Sequence, residues 1–261
     1  MPDDAMMSLP PWLHWLDECA STNTWALQSL DKLTQGDVVF TPRQTAGRGQ
    51  QGRDWYAPPG VLTASFILEP LAVNALPCLS LAAGLAVIHA LEDLVSLPAN
   101  ALGIKWPNDV LLWGRKLAGV LCEARCPKVV VGIGLNRAVD WPTVPATGEV
   151  NLSLKQVASL TEVTATPPDV MILLVKLRDY LLQAQGVIQQ KGLMPLLPQL
   201  RQRDVLYGCP LVVSTGEGDL AAVGAGLDDQ GRLLIQGREG AITALAAGRV
   251  LVWEHSGFRR D

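Results

Sequence analysis

The sequence predicts an α+β protein: a mixed β-sheet packed with helices, followed by a small all-β barrel. Three observations carry this. The strand-like runs of the first half arrive as adjacent hairpins, which argues against a doubly wound parallel sheet. Two stretches, 79–97 and 167–192, are apolar over helical lengths. Near Gly208 the composition shifts to short apolar runs separated by Gly/Asp turns, the pattern of an SH3-like barrel of about fifty residues. The expected boundaries are 12–207 for the mixed domain and 208–256 for the barrel. At 261 residues with 49% hydrophobic and 18% charged, the chain can bury a sizeable core.

Taken in order, Trp12 to Trp15 reads as a short strand, and a helix opens near Ser21 to Asn23, where three capping residues precede Trp25, Leu27 and Leu30. Gly36-Asp37 should end it. Val38 to Thr41 and Val61 to Leu68 are strands. Residues 79–97 are apolar nearly all round, as expected of a helix buried against a sheet. Val110–Trp113 and Lys116–Cys122 form a hairpin turning at Gly114-Arg115, and Val129 to Asn136 is a further strand. Residues 137–165 are Pro/Thr-rich, with a short helix expected at 154–160. Pro167-Pro168-Asp169 opens a long helix toward Gly192, with prolines suited to its first turn. A helical tail at 193–203 leads into barrel strands at 211–215, 220–227, 233–236 and 250–253.

Residues 44–55, Gln-Thr-Ala-Gly-Arg-Gly-Gln-Gln-Gly-Arg-Asp-Trp, hold the densest chemistry. Three glycines permit close backbone approach, and Arg48 and Arg53 supply forked donors for carboxylate or phosphate. The spacing satisfies G-x-G-x-x-G, but a strand follows where a dinucleotide site needs a helix. A phosphate P-loop would need Gly-Lys-Ser/Thr, which is missing. With few apolar residues, the loop is expected to take its order from a bound anion. Two more polar clusters, Ser21-Thr22-Asn23 and Lys105 to Lys116 with Asn136, have dull individual readings as caps, turns and solvated charges.

A net charge of −4 argues against a general nucleic-acid binder. Five cysteines without paired spacing and three histidines make a zinc site a poor fit, and buried thiols in a reducing compartment a better one. The first twenty residues lack the basic start of a signal peptide, and the run 79–91 is too short to span a bilayer. The expectation is a cytoplasmic protein that binds neither DNA nor membrane, with no room before residue 12 for a separate DNA-binding module.

Together the clusters resemble the biotin protein ligase family. The loop 44–55 is similar to its biotin and adenylate loop. Lys105-Trp-Pro-Asn-Asp109, Gly114-Arg-Lys-Leu-Ala-Gly119 and Gly132-Ile-Gly-Leu-Asn136 match its other motifs in the same order. The resemblance covers about residues 15–255 and implies a class II synthetase-like catalytic domain. It implies that biotin reacts with ATP to give biotinyl-5′-AMP and pyrophosphate. A lysine of a biotin carboxyl carrier protein, a subunit of acetyl-CoA carboxylase, then displaces AMP.

By that resemblance, Ser21, Thr22, Asn23 and Gln44 meet the ureido ring, with Arg48, Gly49, Gln50, Trp55, Lys116 and Gly119 completing the biotin site. ATP would meet Arg48, Arg53, Lys105, Trp106, Asn108, Lys116 and Asn136, with Asn108 also a contact to Mg²⁺ on the phosphates and Asn136 to adenine. Lys116, Arg48 and Arg53 would screen the two reacting anions, and Asp109 would take the acceptor lysine's proton. No tightly held prosthetic group is implied, and an edge-strand homodimer is compatible with the reading. The family's loop is Gly-Arg-Gly-Arg-x-Gly-Arg; here Gln50 replaces the middle arginine. A lipoate or octanoyl ligase or transferase of the same fold is the alternative, and a non-catalytic binder a third. The arginine-rich loop and the Lys-Trp-Pro-Asn-Asp run favour biotin.

Overall fold

The computed structural model describes residues 9–72, 75–141, 156–216 and 218–253. The start of the expected helix at 154–160 and the end of the barrel at 256 lie outside them. A seven-stranded mixed sheet runs in the order β1-β2-β5-β9-β8-β7-β6, where β1 is Leu13–Trp15, β2 Val38–Thr41, β5 Val61–Leu68, β6 Leu102–Lys105, β7 Asp109–Leu112, β8 Arg115–Arg125 and β9 Lys128–Asn136. Only β1 and β2 pair in parallel; the other neighbours are antiparallel. Two small strands, β3 (Gly47–Arg48) and β4 (Asp54–Trp55), pair with each other inside the loop.

Strand alternation gives this sheet two different faces. On one, Leu62, Ala64 and Phe66 of β5 and Val131, Ile133 and Leu135 of β9 pack into the main core. Helices α2 (Leu76–Leu94) and α3 (Val170–Lys191) cover that face. On the other, Thr63, Ser65, Gly132 and Gly134 leave a shallow polar floor, bounded by the apolar patch that Ile67 and Val130 form under α1 (Thr22–Gln28). Helix α2 is long and apolar enough to cross a membrane by composition, but 72% of its most apolar window is buried here, as befits a core helix.

Several ends differ from expectation for local reasons. Helix α1 stops at Gln28, not near Gly36; the carbonyls of Leu27, Leu30 and Leu33 are instead taken by Arg125 and Lys128 of the β8–β9 hairpin. Helix α2 ends at Leu94, and Val95 is already extended (φ −131°, ψ 131°) ahead of Pro98. Strand β6 went unrecognised because Lys105-Trp-Pro-Asn-Asp109 reads as a loop; it is the turn of the β6–β7 hairpin, with Lys105 paired to Asp109 across it. At the β7–β8 turn, Trp113 and Gly114 both have positive φ (48° and 75°), as a tight hairpin turn demands. Gln156 belongs to a 3₁₀ turn but 157–159 are not helical: Val157 bridges to Lys116, and a further short 3₁₀ turn follows at Leu160–Glu162.

After α4 (Leu197–Arg203), a second, five-stranded antiparallel sheet runs β13-β12-β11-β10-β14. Its strands are β10 (Pro210–Thr215), β11 (Gly218–Leu227), β12 (Leu233–Gln236), β13 (Ile242–Leu245) and β14 (Arg249–Trp253), consistent with a small SH3-like domain. Strand β13, half exposed and preceded by Gly240, was not expected. Leu211, Val213, Leu227, Leu233 and Ile235 join the same buried cluster as α2, so the two sheets share one core. The Trp106 indole donates to the Gly231 carbonyl (3.0 Å) and pins them together.

Candidate functional site

The polar floor of β5, β8 and β9 is the base of a cavity of about 110 Å³ roofed by the loop 44–55. Its inner end is a closed hydrogen-bond network. Ser21 caps α1, its hydroxyl accepting from the Thr24 amide. The Gln44 carbonyl oxygen accepts from the Thr22 amide at 2.9 Å. The Ser65 hydroxyl, with one proton to give, sits 2.6 Å from Asn23 Oδ1 and 2.8 Å from Thr22 Oγ1. Ser21, Thr22 and Asn23 are all buried, which is costly for polar groups unless they are paired or meet a polar ligand.

Glycines shape the floor. A Cβ on Gly132 would strike the Asn23 amide, and one on Gly134 would strike the Trp55 indole. Gly119 passes beneath the same indole and the end of Lys116. Trp55 therefore lies flat on the sheet, held by the β3–β4 pairing of Gly47 with Trp55. Its Nε1–H is buried without a hydrogen-bond partner. Arg48 crosses to β8, where its Nη2 lies 2.8 Å from Glu123 Oε1. The loop thus holds more internal structure than its composition suggests.

A larger cavity of about 500 Å³ adjoins the first and shares Gln50, Arg53, Asn108 and Lys116 with it. Lys116 sits at this junction, 2.6 Å from Asp109 Oδ1 and 5.2 Å from the centroid of the Trp55 ring. Lys105, Lys116, Arg53 and Arg249 make the larger cavity a cationic chamber, with Asp109 among them. Burial, then the neighbouring cations Lys116, Arg249 and Arg53, pull the Lys105 amine below the usual lysine value, against the opposing pull of Asp109. An anion in the chamber would relieve that repulsion.

All the expected biotin-site residues line the smaller cavity: Ser21, Thr22, Asn23, Gln44, Arg48, Gly49, Gln50, Trp55, Lys116 and Gly119. Of the expected nucleotide residues, Arg53, Lys105, Trp106, Asn108 and Lys116 line the larger one. Three are placed differently. Asn136 lines neither cavity: its amide donates to the carbonyls of Lys116 (3.1 Å) and Ala158 (2.9 Å) and ties the site's edge together. Trp106 is 3% exposed with its N–H spent on Gly231, so it is a sheet-to-sheet anchor more than a ligand wall. Arg48 belongs to the smaller cavity alone and is engaged by Glu123.

Sequence reasoning missed Ser65, Glu123 and Arg249. Ser65 and Glu123 could have been found by strand alternation, since each shares a face with residues already singled out. Arg249 belongs to the second sheet, and no local pattern places it in the chamber.

With this geometry in hand, similarity to known proteins is informative. Residues 16–136 match the biotin/lipoate A/B protein ligase family. The chain is 36% identical over 221 residues to a biotin–[acetyl-CoA-carboxylase] ligase of Mycobacterium tuberculosis, covering 83% of this chain and 79% of that protein. It is 34% identical to the ligase of the same name from Paracoccus denitrificans, covering 84% and 92%. The fold superposes on the biotin protein ligase of Aquifex aeolicus, in complex with biotin and ATP, with a TM-score of 0.79 and 30% identity over 94% of this chain and 99% of that one. Two cavities meeting at one lysine, the ordered motifs and these likenesses agree: the chain belongs to the biotin protein ligase family.

Proposed function

We propose that this chain activates biotin with ATP as biotinyl-5′-AMP and transfers the biotinyl group to a lysine of a biotin carboxyl carrier protein. The observation that carries the reading is the shared wall of the two cavities. A carboxylate reaching out of the smaller one and an α-phosphate in the larger one would meet beside Lys116 and Arg53.

In the first step a biotin carboxylate oxygen bonds to the α-phosphorus while the bond to pyrophosphate breaks. Both partners are anionic, so fixed cations at the meeting point lower the barrier more than flexible solvent could. Lys116 and Arg53 serve there, while Lys105 and Arg249 hold the polyphosphate. The buried ends of Thr22, Asn23 and Gln44, with Ser65 behind them, offer donors and acceptors to the ureido ring. In the second step an acceptor amine attacks the acyl carbon and AMP leaves. The amine must first lose a proton, and Asp109 lies at the junction to take it once anion binding has drawn Lys116 away.

Mg²⁺ fits as an ion carried in by ATP. Hard cations of this kind take oxygen ligands and rely on phosphates with one or two protein groups. Asn108 donates its amide N–H to the Val120 carbonyl at 2.7 Å, which leaves its oxygen for the chamber, and Asp109 is adjacent. Asn108 would hold the ion, which would supply charge neutralisation on the phosphates.

The partner we propose is the carrier domain of acetyl-CoA carboxylase, because the Mycobacterium tuberculosis and Paracoccus denitrificans relatives are biotin–[acetyl-CoA-carboxylase] ligases. The reading includes no DNA or membrane partner, leaves a homodimer through an outer strand of the large sheet compatible, and places the protein in the cytoplasm. Five cysteines with no disulfide among the described residues suit that compartment. The test is pyrophosphate release on addition of ATP with biotin, lipoate or octanoate. Release with biotin alone is expected; release only with lipoate or octanoate would move the chain to the alternative chemistry.

A further inference from the structure

Glu123 lies on the floor side of β8, two residues beyond Leu121, and its carboxylate gathers two groups of the biotin site. Arg48 approaches it as a fork, Nη2 at 2.8 Å from Oε1 and Nη1 at 3.5 Å from Oε2. Asn23 Nδ2 donates to the same Oε2 at 2.9 Å and to the Leu121 carbonyl at 3.2 Å. The far side of the Asn23 amide is fixed by Ser65. Arg48 Nη1 also reaches the Thr24 hydroxyl on α1 at 3.3 Å. One carboxylate thus joins the loop, the start of α1 and the sheet.

Apart from Trp55, which rests on Gly119 and Gly134, little else binds the outer part of the loop to the floor. Strands β3 and β4 pair over only Gly47–Trp55 and Arg48–Asp54, and the Arg53 Nε–H donates back within the loop to the Gln50 carbonyl. A guanidinium forked onto a carboxylate is a stronger and more directional tether than a single lysine contact. Arg53, not Arg48, lines both cavities and faces the phosphate chamber.

We propose that Glu123 is a positioning residue for biotin activation. It holds Arg48 as a strap that seats the loop over the biotin cavity, and it sets the Asn23 amide so that the ureido end meets a fixed partner. This rests on the reading that the smaller cavity takes biotin. The strap acts on how well biotin and its adenylate are held, and leaves the phosphate chamber untouched.

The experiment compares the full chain with Glu123→Gln, Arg48→Ala and the double variant. In the ligand-free protein, Glu123→Gln should speed tryptic cleavage at Arg48 and Arg53. It should raise the biotin KM and the adenylate dissociation rate by about five- to ten-fold, with the ATP KM and kcat within about two-fold. The double variant should lose less than the sum of the two single variants, because the strap is removed only once, while the Asn23 contact is lost with Glu123 alone. Unchanged cleavage and biotin KM, an ATP KM that rises in step, or additive losses would each overturn the proposal. Should Glu123→Gln fail to fold, Glu123→Asp, which keeps the charge but shortens the reach to Arg48, is expected to give the same split. A wild-type chain without biotin-dependent adenylation would sink the biotin reading itself, whereas an active wild type with indifferent variants sinks only the strap.

Discussion

Lys116 Nζ lies 2.6 Å from Asp109 Oδ1, on adjacent strands joined by a hairpin, at the boundary between the two cavities. Both side chains are partly open to solvent, so the pair adds little to stability, of order 1 kcal/mol or less. Its value is in where it stands. Without ligand the carboxylate balances the amine; with two anions at the junction the amine has better partners, and Asp109 is released to accept a proton. Lys116→Ala should slow biotin-dependent pyrophosphate release by roughly a hundred-fold or more while moving Tm by only a few degrees. Wild-type release by the variant would refute the role.

Gly134 is where the floor and the loop touch most closely. A methyl group there would strike the Trp55 indole, which lies across both Gly134 and Gly119. Gly134→Ala should displace Trp55 and raise the biotin KM by about ten-fold or more, with less effect on ATP. Titration of tryptophan fluorescence with biotin would show it. An unchanged biotin KM would mean that the indole does not touch the ligand.

Gln50 lines both cavities at their junction, where the family's loop carries arginine. Glutamine keeps a neutral donor but lacks the charge that would strengthen a bond to the adenylate, a difference worth about 1.5 kcal/mol. Gln50→Arg is expected to slow adenylate dissociation about ten-fold and to reduce labelling of a bystander protein. If neither changes, the idea fails.

Asp204, in the segment between α4 and β10, is pushed up from 3.8 to about 6 by burial, against the pull of the Leu206 amide. Its Oδ2 is buried with no hydrogen-bond partner. The folded state therefore binds this proton more tightly than the unfolded chain. Its contribution to stability grows as pH falls through about 6 toward 3.8 and is lost as pH rises through about 6. Asp204→Asn keeps the oxygen that accepts from Leu206 and removes the buried charge. It should gain about 1–2 kcal/mol at neutral pH and about half as much at about pH 5, read from Tm at both. An equal shift at the two values would contradict this.

What the sequence made legible followed from local rules. Ser21 was readable as a cap, Val61–Leu68 as a strand, and Pro167-Pro168-Asp169 as a helix start, because each depends on neighbours in the chain. That the residues expected for biotin would line one cavity was readable because the glycines and arginines of one loop and the order of four motifs constrain each other. The failures were long-range. Asn136 serves the carbonyls of Lys116 and Ala158, and the Trp106 indole serves Gly231, partners that no local pattern announces. Arg249 enters the phosphate chamber only because the second sheet docks there. Strand β6 was hidden by a turn whose polar residues resemble a loop.

The account stands most directly on one mass measurement. The purified chain would be incubated with ATP, biotin and a biotin carboxyl carrier domain, and the carrier's intact mass read, with lipoate in place of biotin as the control. A single biotinyl adduct on the carrier, dependent on ATP and absent with lipoate, is the predicted result. A carrier of unchanged mass, or one that gains lipoate in place of biotin, would contradict it.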